Sequence, residues 1–469
     1  MTEDKKPYKK GPRRSRPVTP SRLVAFEVLM AVDEDDAYAN LALPAKIKEF
    51  GLSSNDAGLA TELTYGTLRM QGFYDRVIAN AAARDIDGID LVVLNILRLG
   101  VHQLLNMRVA THAAVDESVN LAEHMASLGA VGFVNAVLRR VSRHDLQDWQ
   151  EFILEKLSNE DERLAALYSH PLWIVRSLKQ SLEAEGRGSE LEALLSSDNV
   201  NPRVTLVELP GFIETNDEVE GEPTKYSPVG MTLSTGGDPT RFARVREGVV
   251  RVQDEGSQLA ALVLSRARQI TPGEKWLDMC AGPGGKAALL AAEAALGEAE
   301  LTANEVIPAR ADLVRRALEI LPEVKVVTGD GIEIGEIEPN TYDRILLDAP
   351  CTGLGALRRR PEARWRKSPK DVGDLTGVQA QLLASALKAL KPGGVVAYVT
   401  CSPHLAETRG IVEGALRKNV HVTELEVKPV LAEVSMEAMD TAGDAKSVQL
   451  WPHRHGTDAM FISLLTKSE

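Results

Sequence analysis

Apolar positions in this chain follow two periods. From about residue 21 to 145 they recur every three to four residues, the mark of helices with one buried stripe. Ser21-Arg-Leu-Val-Ala-Phe-Glu-Val-Leu-Met-Ala-Val opens the series behind a capping-type serine. Similar stripes run over 56–70, 72–84, 90–106, 113–128 and 130–143. Few alternating β-branched runs interrupt them, so 21–145 reads as an all-α domain of five to seven helices. Residues 146–250 are mixed. A helical stretch over about 150–195 is broken at Asn201-Pro202. Strands follow at Arg203–Val207 and Val249–Gln253, around a segment rich in Gly, Pro, Thr and acids. This segment predicts a small α+β connecting domain.

Beyond residue 251 strands and helices alternate. A helix over 256–270 precedes strands at 275–279, 300–304, 324–328, 343–348 and 394–400. Helices at 284–297, 308–320 and 374–390 fall between them, and late strands lie near 421–427 and 459–466. Such alternation predicts an α/β, Rossmann-like domain over 251–469, with a seven-stranded, mostly parallel sheet and helices on both faces. Lys391-Pro-Gly-Gly394 reads as a helix stop before the fifth strand. Residues 1–20, rich in Pro, Lys and Arg, read as a disordered basic tail.

Net charge is −13, which as a bulk property argues against nucleic-acid binding. Binding follows local fields, however, and two basic patches stand out. One is the tail, Lys5 to Arg16. The other, Arg358 to Lys370, holds seven basic residues and one acid. No apolar run approaches the roughly 18 residues of a membrane span. The first residues lack the apolar core of a secretion signal. Three cysteines without short-spaced pairs give neither a disulfide framework nor a zinc site. A soluble, reducing, cytoplasmic setting is expected, with no metal, no membrane association and no obligate protein partner.

All three cysteines fall at or just past strand ends, where open α/β sheets bind ligands. Cys280 begins Cys280-Ala281-Gly282-Pro283-Gly284-Gly285-Lys286, a glycine loop that leads into a helix. Glycines allow close backbone approach, and the helix start favours a carboxylate or anion. The spacing fits neither the dinucleotide fingerprint nor a phosphate loop. Glu305, Asp330 and Asp348 end the next three strands. In register with the loop, they outline a nucleoside-containing cofactor, and the missing phosphate loop points to S-adenosylmethionine. Cys351 and Cys401 end neighbouring strands, which would bring both thiols to the cofactor's reactive end.

These residues carry a resemblance. Residues 251–466 resemble the Sun/Fmu (RsmB-like) group of RNA cytosine-5 methyltransferases, within the NOL/NOP/Sun superfamily. The matching pieces are Arg251-Val-Gln-Asp-Glu-Gly-Ser-Gln258, Leu277-Asp-Met-Cys-Ala-Gly-Pro-Gly-Gly-Lys286 and Asp348-Ala-Pro-Cys-Thr-Gly-Leu-Gly355. Arg359-Arg-Pro-Glu-Ala-Arg-Trp365, Tyr398-Val-Thr-Cys-Ser402 and Leu450-Trp-Pro-His-Arg-His-Gly-Thr-Asp-Ala-Met-Phe461 match as well. Residues 21–145 resemble the NusB-like RNA-binding domain that this rRNA group carries. Two departures are Gly282, where many relatives have Ala, and Pro403-His404 after the last cysteine.

The resemblance implies methylation of C5 of a cytosine in 16S rRNA, with S-adenosylmethionine as cofactor and RNA as partner. It makes 146–250 a connecting and RNA-recognition domain. It implies Cys401 as nucleophile toward C6, and Cys351 in proton removal or release. Asp348 is implied as partner of the protonated N3 edge. Cofactor contacts map to Cys280, Ala281, Gly282, Pro283, Gly284, Gly285, Lys286, Glu305 on the ribose, Asp330 near the adenine, and Asp348. Arg358, Arg359, Arg360, Arg364, Trp365 and Arg366 read as RNA-binding, by phosphate contact and stacking. The residues alone do not rank the two cysteines, since a Pro-Cys nucleophile serves DNA cytosine-5 enzymes. A transfer-RNA methyltransferase and a non-catalytic RNA-binding assembly factor are the alternatives. The NusB-like segment speaks against the first, and the intact cysteines, Asp348 and glycine loop against the second.

Overall fold

Capping residues and buried stripes set the elements of the first unit. The structure is a computed structural model and describes residues 16–212, 219–234 and 237–468. Residues through Ser169 form one compact unit and those from His170 a second. Most of the basic tail lies outside the described residues. Its last part is ordered: Arg16 pairs with Glu117 at 2.6 Å, and the Thr19 hydroxyl donates to the same carboxylate.

Among the described residues, seven α-helices fill the first unit up to Val141, from Pro20–Glu34 to Leu128–Val141. The helix Leu91–Leu105 is the most buried, and Asp90 caps it by accepting from the Val92 and Val93 N–H groups. Gly100 lets this helix pack closely, because a Cβ there would press on Leu138 and Ser118. Arg98 on the same helix donates to both oxygens of Asp75, at 2.7 and 2.8 Å, so its buried charge is matched.

The helical stretch expected over 150–195 is divided. Helices Leu146–Leu154 and Glu160–Leu167 lie in the first unit, because Trp149, Ile153 and Ala166 join its core. Helices Leu172–Glu183 and Leu191–Ser197 lie in the second. Asn159 caps one segment, Pro171 precedes the next, and Gly186 has φ +70° before the last.

The second unit begins its strands with a small antiparallel sheet: β1 (Thr205–Glu208), β2 (Gly221–Pro223), β3 (Gly230–Leu233) and β4 (Val250–Val252), in the order β2-β3-β1-β4. The main sheet holds β5 (Lys275–Asp278), β6 (Glu300–Asn304), β7 (Lys325–Val327), β8 (Tyr342–Asp348), β9 (Leu390–Thr400), β10 (Val422–Leu425), β11 (Val448–Gln449) and β12 (Phe461–Lys467). Its order is β10-β12-β9-β8-β5-β6-β7, with the two-residue β11 paired to β12. Strands β5 to β9 run parallel, while β12 is antiparallel to β9 and β10. Among the described residues the sheet therefore has eight strands rather than the expected seven. Lys391–Gly394 does not precede β9 but bulges within it: Tyr342 pairs with Leu390, and Arg344 next with Val395.

Strand order reverses between β5 and β8, so the crevice for a ligand opens at their carboxyl ends. The opposite pole is anchored by Arg344, which is fully buried on β8. Its guanidinium donates to Glu274 at 2.7 Å and to the carbonyls of Leu264, Ser265, Arg268 and Gln269. It also lies 4.9 Å from the Trp276 ring centroid. Glu274→Ala would leave this cation uncompensated, and is expected to cost about 3–5 kcal/mol in urea unfolding.

Candidate active site

The turn after β5 is built for close backbone approach. Gly284 has φ +111° and opens the helix Gly285–Leu296, and a Cβ there would collide with Ala317. The Ala281 N–H donates to the Asn304 carbonyl at 2.8 Å, tying the loop to β6. The Asn304 amide donates in turn to the carbonyls of Met279 and Gly329, which draws three strand ends together. Glu305 is buried and accepts from the Gly282 N–H at 3.0 Å and the Ile307 N–H at 3.0 Å. With Glu305 so placed, a Cβ on residue 282 would run into its carboxylate. Asp330 is exposed and caps the helix Gly331–Ile337 through the Ile332 N–H. Glycine loop, Glu305 and Asp330 thus share one side of the crevice.

On the other side, Lys286 and Asp348 form an ion pair at 2.8 Å. Burial disfavours the Lys286 charge, yet Asp348 holds the ammonium above its ordinary range. Beside them stands Asp278, which is 1% exposed and has one oxygen without a hydrogen-bond partner. Burial, with the Asp348 charge added, pushes its acid up to about 8. Burial also pushes the Cys280 thiol up, and the carboxylates of Asp278, Asp348 and Glu305 add to this. Its residue packs against the core of the sheet, and a raised thiol is the less reactive form at neutral pH.

The other two cysteines meet. Cys351 and Cys401 Sγ lie 3.4 Å apart, and both residues are half-buried. The hydrogen bond with Cys351 lowers the Cys401 thiol below its ordinary value. Burial and Asp348 oppose this, while the charges of Lys286 and Arg360 assist it. Cys351 moves the other way, raised by the Cys401 bond, by burial and by the charges of Glu407 and Asp348. The two thiols are thus shifted in opposite directions across one short contact. Backbone bonds help hold the loop after Cys351 against Cys401: the Gly355 N–H donates to the Cys401 carbonyl and the Gly355 carbonyl accepts from Ala459, both at 2.8 Å. A Cβ at residue 355 would clash with the Ala459 and Cys401 carbonyls.

The basic patch departs from the expectation. Arg358 and Arg359 do not face solvent as a phosphate clamp. Both donate to the buried carboxylates of Asp254 and Asp458, over 2.5–3.1 Å. Burial opposes the Asp254 charge, but the two guanidiniums win and hold it low. Arg364 is fully buried and donates to the Asn199 side chain and the Asp198 carbonyl, both at 2.8 Å. The sequence could not show these partners, because they lie roughly 100 to 165 positions away. Arg360 and Trp365 are exposed, Trp365 at 39%, and Arg366 is half-buried. Asp254, Asp278, Glu407 and Asp458 were not singled out from sequence. Asp254, Asp278 and Asp458 do fall within the motif pieces quoted above, which was the available signal.

Comparison with known proteins fits this geometry. A family model for the 16S rRNA methyltransferase RsmB/F matches residues 266–466, and a NusB family model matches 19–143. A methyltransferase of Mycobacterium tuberculosis is 47% identical, over 98% of this chain and 99% of its own length. Ribosomal RNA small subunit methyltransferase B of Pseudomonas putida is 30% identical, over 87% of this chain and 91% of its own. The chain belongs to the RsmB/F family. This RsmB/F protein is an S-adenosylmethionine-dependent RNA methyltransferase. The solved structure of PH0851 shares the fold, with a TM-score of 0.78 at 22% identity, covering 97% of this chain and all of that one. The RsmB/F crevice fits its cofactor: Glu305 stands beside the Gly282–Gly285 turn, and Asp278 presents a buried oxygen without a partner. Among the described residues no helix is long and apolar enough to cross a membrane.

Proposed function

We propose that this cytoplasmic enzyme methylates C5 of a cytosine in 16S rRNA through a covalent bond between Cys401 and C6. The observation that carries the reading is the thiol pair at 3.4 Å, with the cations Lys286 and Arg360 acting on Cys401 and the carboxylate of Glu407 on Cys351. C5 of cytosine is a poor nucleophile. Addition of the Cys401 thiolate to C6 places charge on the ring and makes C5 enamine-like, which splits one hard step into easier ones. Asp348 holds the N3 edge as that charge develops. Bound S-adenosylmethionine would supply an electrophilic methyl group to C5, its sulfonium sulfur being left as a neutral thioether. The C5 proton then leaves with the help of Cys351, and the C6–S electrons return to Cys401.

The turn Cys280–Lys286 would cradle the cofactor, with Glu305 on the ribose hydroxyls and Asp330 near the adenine. RNA contact falls to Arg360, Trp365 and Arg366. Arg358, Arg359 and Arg364 hold the shape of that loop. The target base must leave its stack to reach a thiol at a strand end.

The test incubates the enzyme with methyl-labelled cofactor and either unmodified 16S rRNA fragments or transfer RNA, then separates the nucleosides. Label is expected in 5-methylcytidine from the 16S fragments. Label only in transfer RNA would overturn the substrate, and label on N4 or on ribose would overturn the chemistry.

A further inference from the structure

Glu407 lies six residues past Cys401, in the short turn Leu405–Glu407, and its side chain is wholly buried. Four donors converge on its two oxygens. Oε1 accepts from the Thr352 N–H at 2.8 Å and the Gln379 amide at 3.2 Å. Oε2 accepts from the Thr352 hydroxyl at 2.5 Å and the Ser402 hydroxyl at 2.6 Å. Thr352 directly follows Cys351, and Ser402 directly follows Cys401. The Gln379 amide also donates to the carbonyl of Pro350, the residue before Cys351, at 2.8 Å. The backbone carbonyl of Glu407 accepts from the Tyr398 hydroxyl on β9 at 2.8 Å. One carboxylate therefore ties the flanks of both cysteines to a single point.

A buried carboxylate is costly unless its lone pairs are filled. Here four neutral donors fill them. A neutral glutamine would turn an N–H₂ group toward some of these donors and break the web.

We propose that Glu407 is a positioning residue that locks the two cysteine loops at the observed sulfur separation and sets a negative charge on the Cys351 side, which favours Cys401 as the attacking thiol. The inference rests on the covalent reading above, and on geometry that favours the Cys351 flank: Thr352 donates twice and Gln379 also holds Pro350, against one bond from Ser402 beside Cys401. Glu407 acts on Cys351, whose thiol is raised, whereas the cations acting on Cys401 are Lys286 and Arg360. The carboxylate is thus an internal counterpart to Lys286 across the pair.

The test compares the full-length protein with Glu407→Gln. Limiting iodoacetamide near pH 7.5, followed by peptide mass spectrometry, gives the ratio of alkylation at Cys401 to that at Cys351. The ratio should fall about tenfold in the variant, the effect of a relative pKa change of about 1. Steady-state kcat should fall by about 10²-fold while KM for RNA stays within about twofold, the pattern of an interaction that acts in the chemical step. Glu407→Asp, which keeps the charge, should recover part of the ratio. An unchanged ratio in folded Glu407→Gln would overturn the proposal. So would a loss of kcat that merely tracks the loss of folded protein. Should Glu407→Gln not fold, Thr352→Val removes one donor and keeps the charge. It should lower the ratio in the same direction, and no change there would also overturn the proposal. The alkylation ratio needs neither RNA nor cofactor. A failed methylation assay with an altered ratio would therefore refute the covalent reading alone.

Discussion

Cys401→Ala is expected to lower the single-turnover rate of methyl transfer by at least about 10⁴-fold, the scale on which single nucleophiles fail in other enzymes. Without addition at C6, C5 keeps its weak aromatic nucleophilicity, and no neighbouring group can replace the bond. Asp348 and Lys286 neutralise one another at 2.8 Å and offer no second nucleophile. The Cys351 thiol is held in its protonated form by its surroundings. The fold should tolerate the change, because Cys401 is only half-buried and alanine keeps its Cβ against the core cluster it borders. Melting temperature and cofactor affinity should therefore stay near those of the parent protein. Loss of activity with intact cofactor binding, measured by calorimetry, would locate the defect in the chemistry.

Cys351→Ala should behave differently. Attack is still possible, but the later step lacks its thiol, so a protein–RNA adduct resistant to denaturant should accumulate and appear as a slow band on a denaturing gel. The same change removes the S–H donor that favours the Cys401 thiolate at 3.4 Å. The Cys401 pKa then rises, so less thiolate is present at neutral pH, and a rise of about 1 slows adduct formation there about tenfold. Raising the pH should restore the rate of adduct formation but not of turnover. Recovery of full turnover at high pH would remove Cys351 from the release step.

Much of this architecture was legible because its signals are local. Apolar stripes marked the helices of the first unit, and glycine and strand-end acids marked the cofactor side. The meeting of Cys351 and Cys401 could be foreseen because β8 and β9 are neighbours, with Asp348 opposite Val399. What was hidden depends on distant partners. Arg358 and Arg364 read as surface cations until Asp254, Asp458 and Asn199 arrive from elsewhere in the chain. Glu407 reads as an ordinary polar turn residue, since nothing nearby in sequence tells that Thr352 and Gln379 will converge on it. The helix Gly331–Ile337 escaped notice because its glycines weaken the periodic signal, although Asp330 caps it as a helix start should. Strands β2, β3 and β11 are two to four residues long, too short to show an alternating pattern.

The decisive measurement traps the intermediate on the intact enzyme. A 16S rRNA fragment carrying 5-fluorocytidine, whose C5–F bond blocks the elimination, is incubated with the protein and S-adenosylmethionine. Nuclease and protease digestion then leave a nucleotide-bearing peptide for mass spectrometry. Methylated fluorocytidine should be attached to the peptide that contains Cys401. Attachment to the Cys351 peptide, or methylation with no attachment at all, would contradict the assignment of Cys401 as the nucleophile.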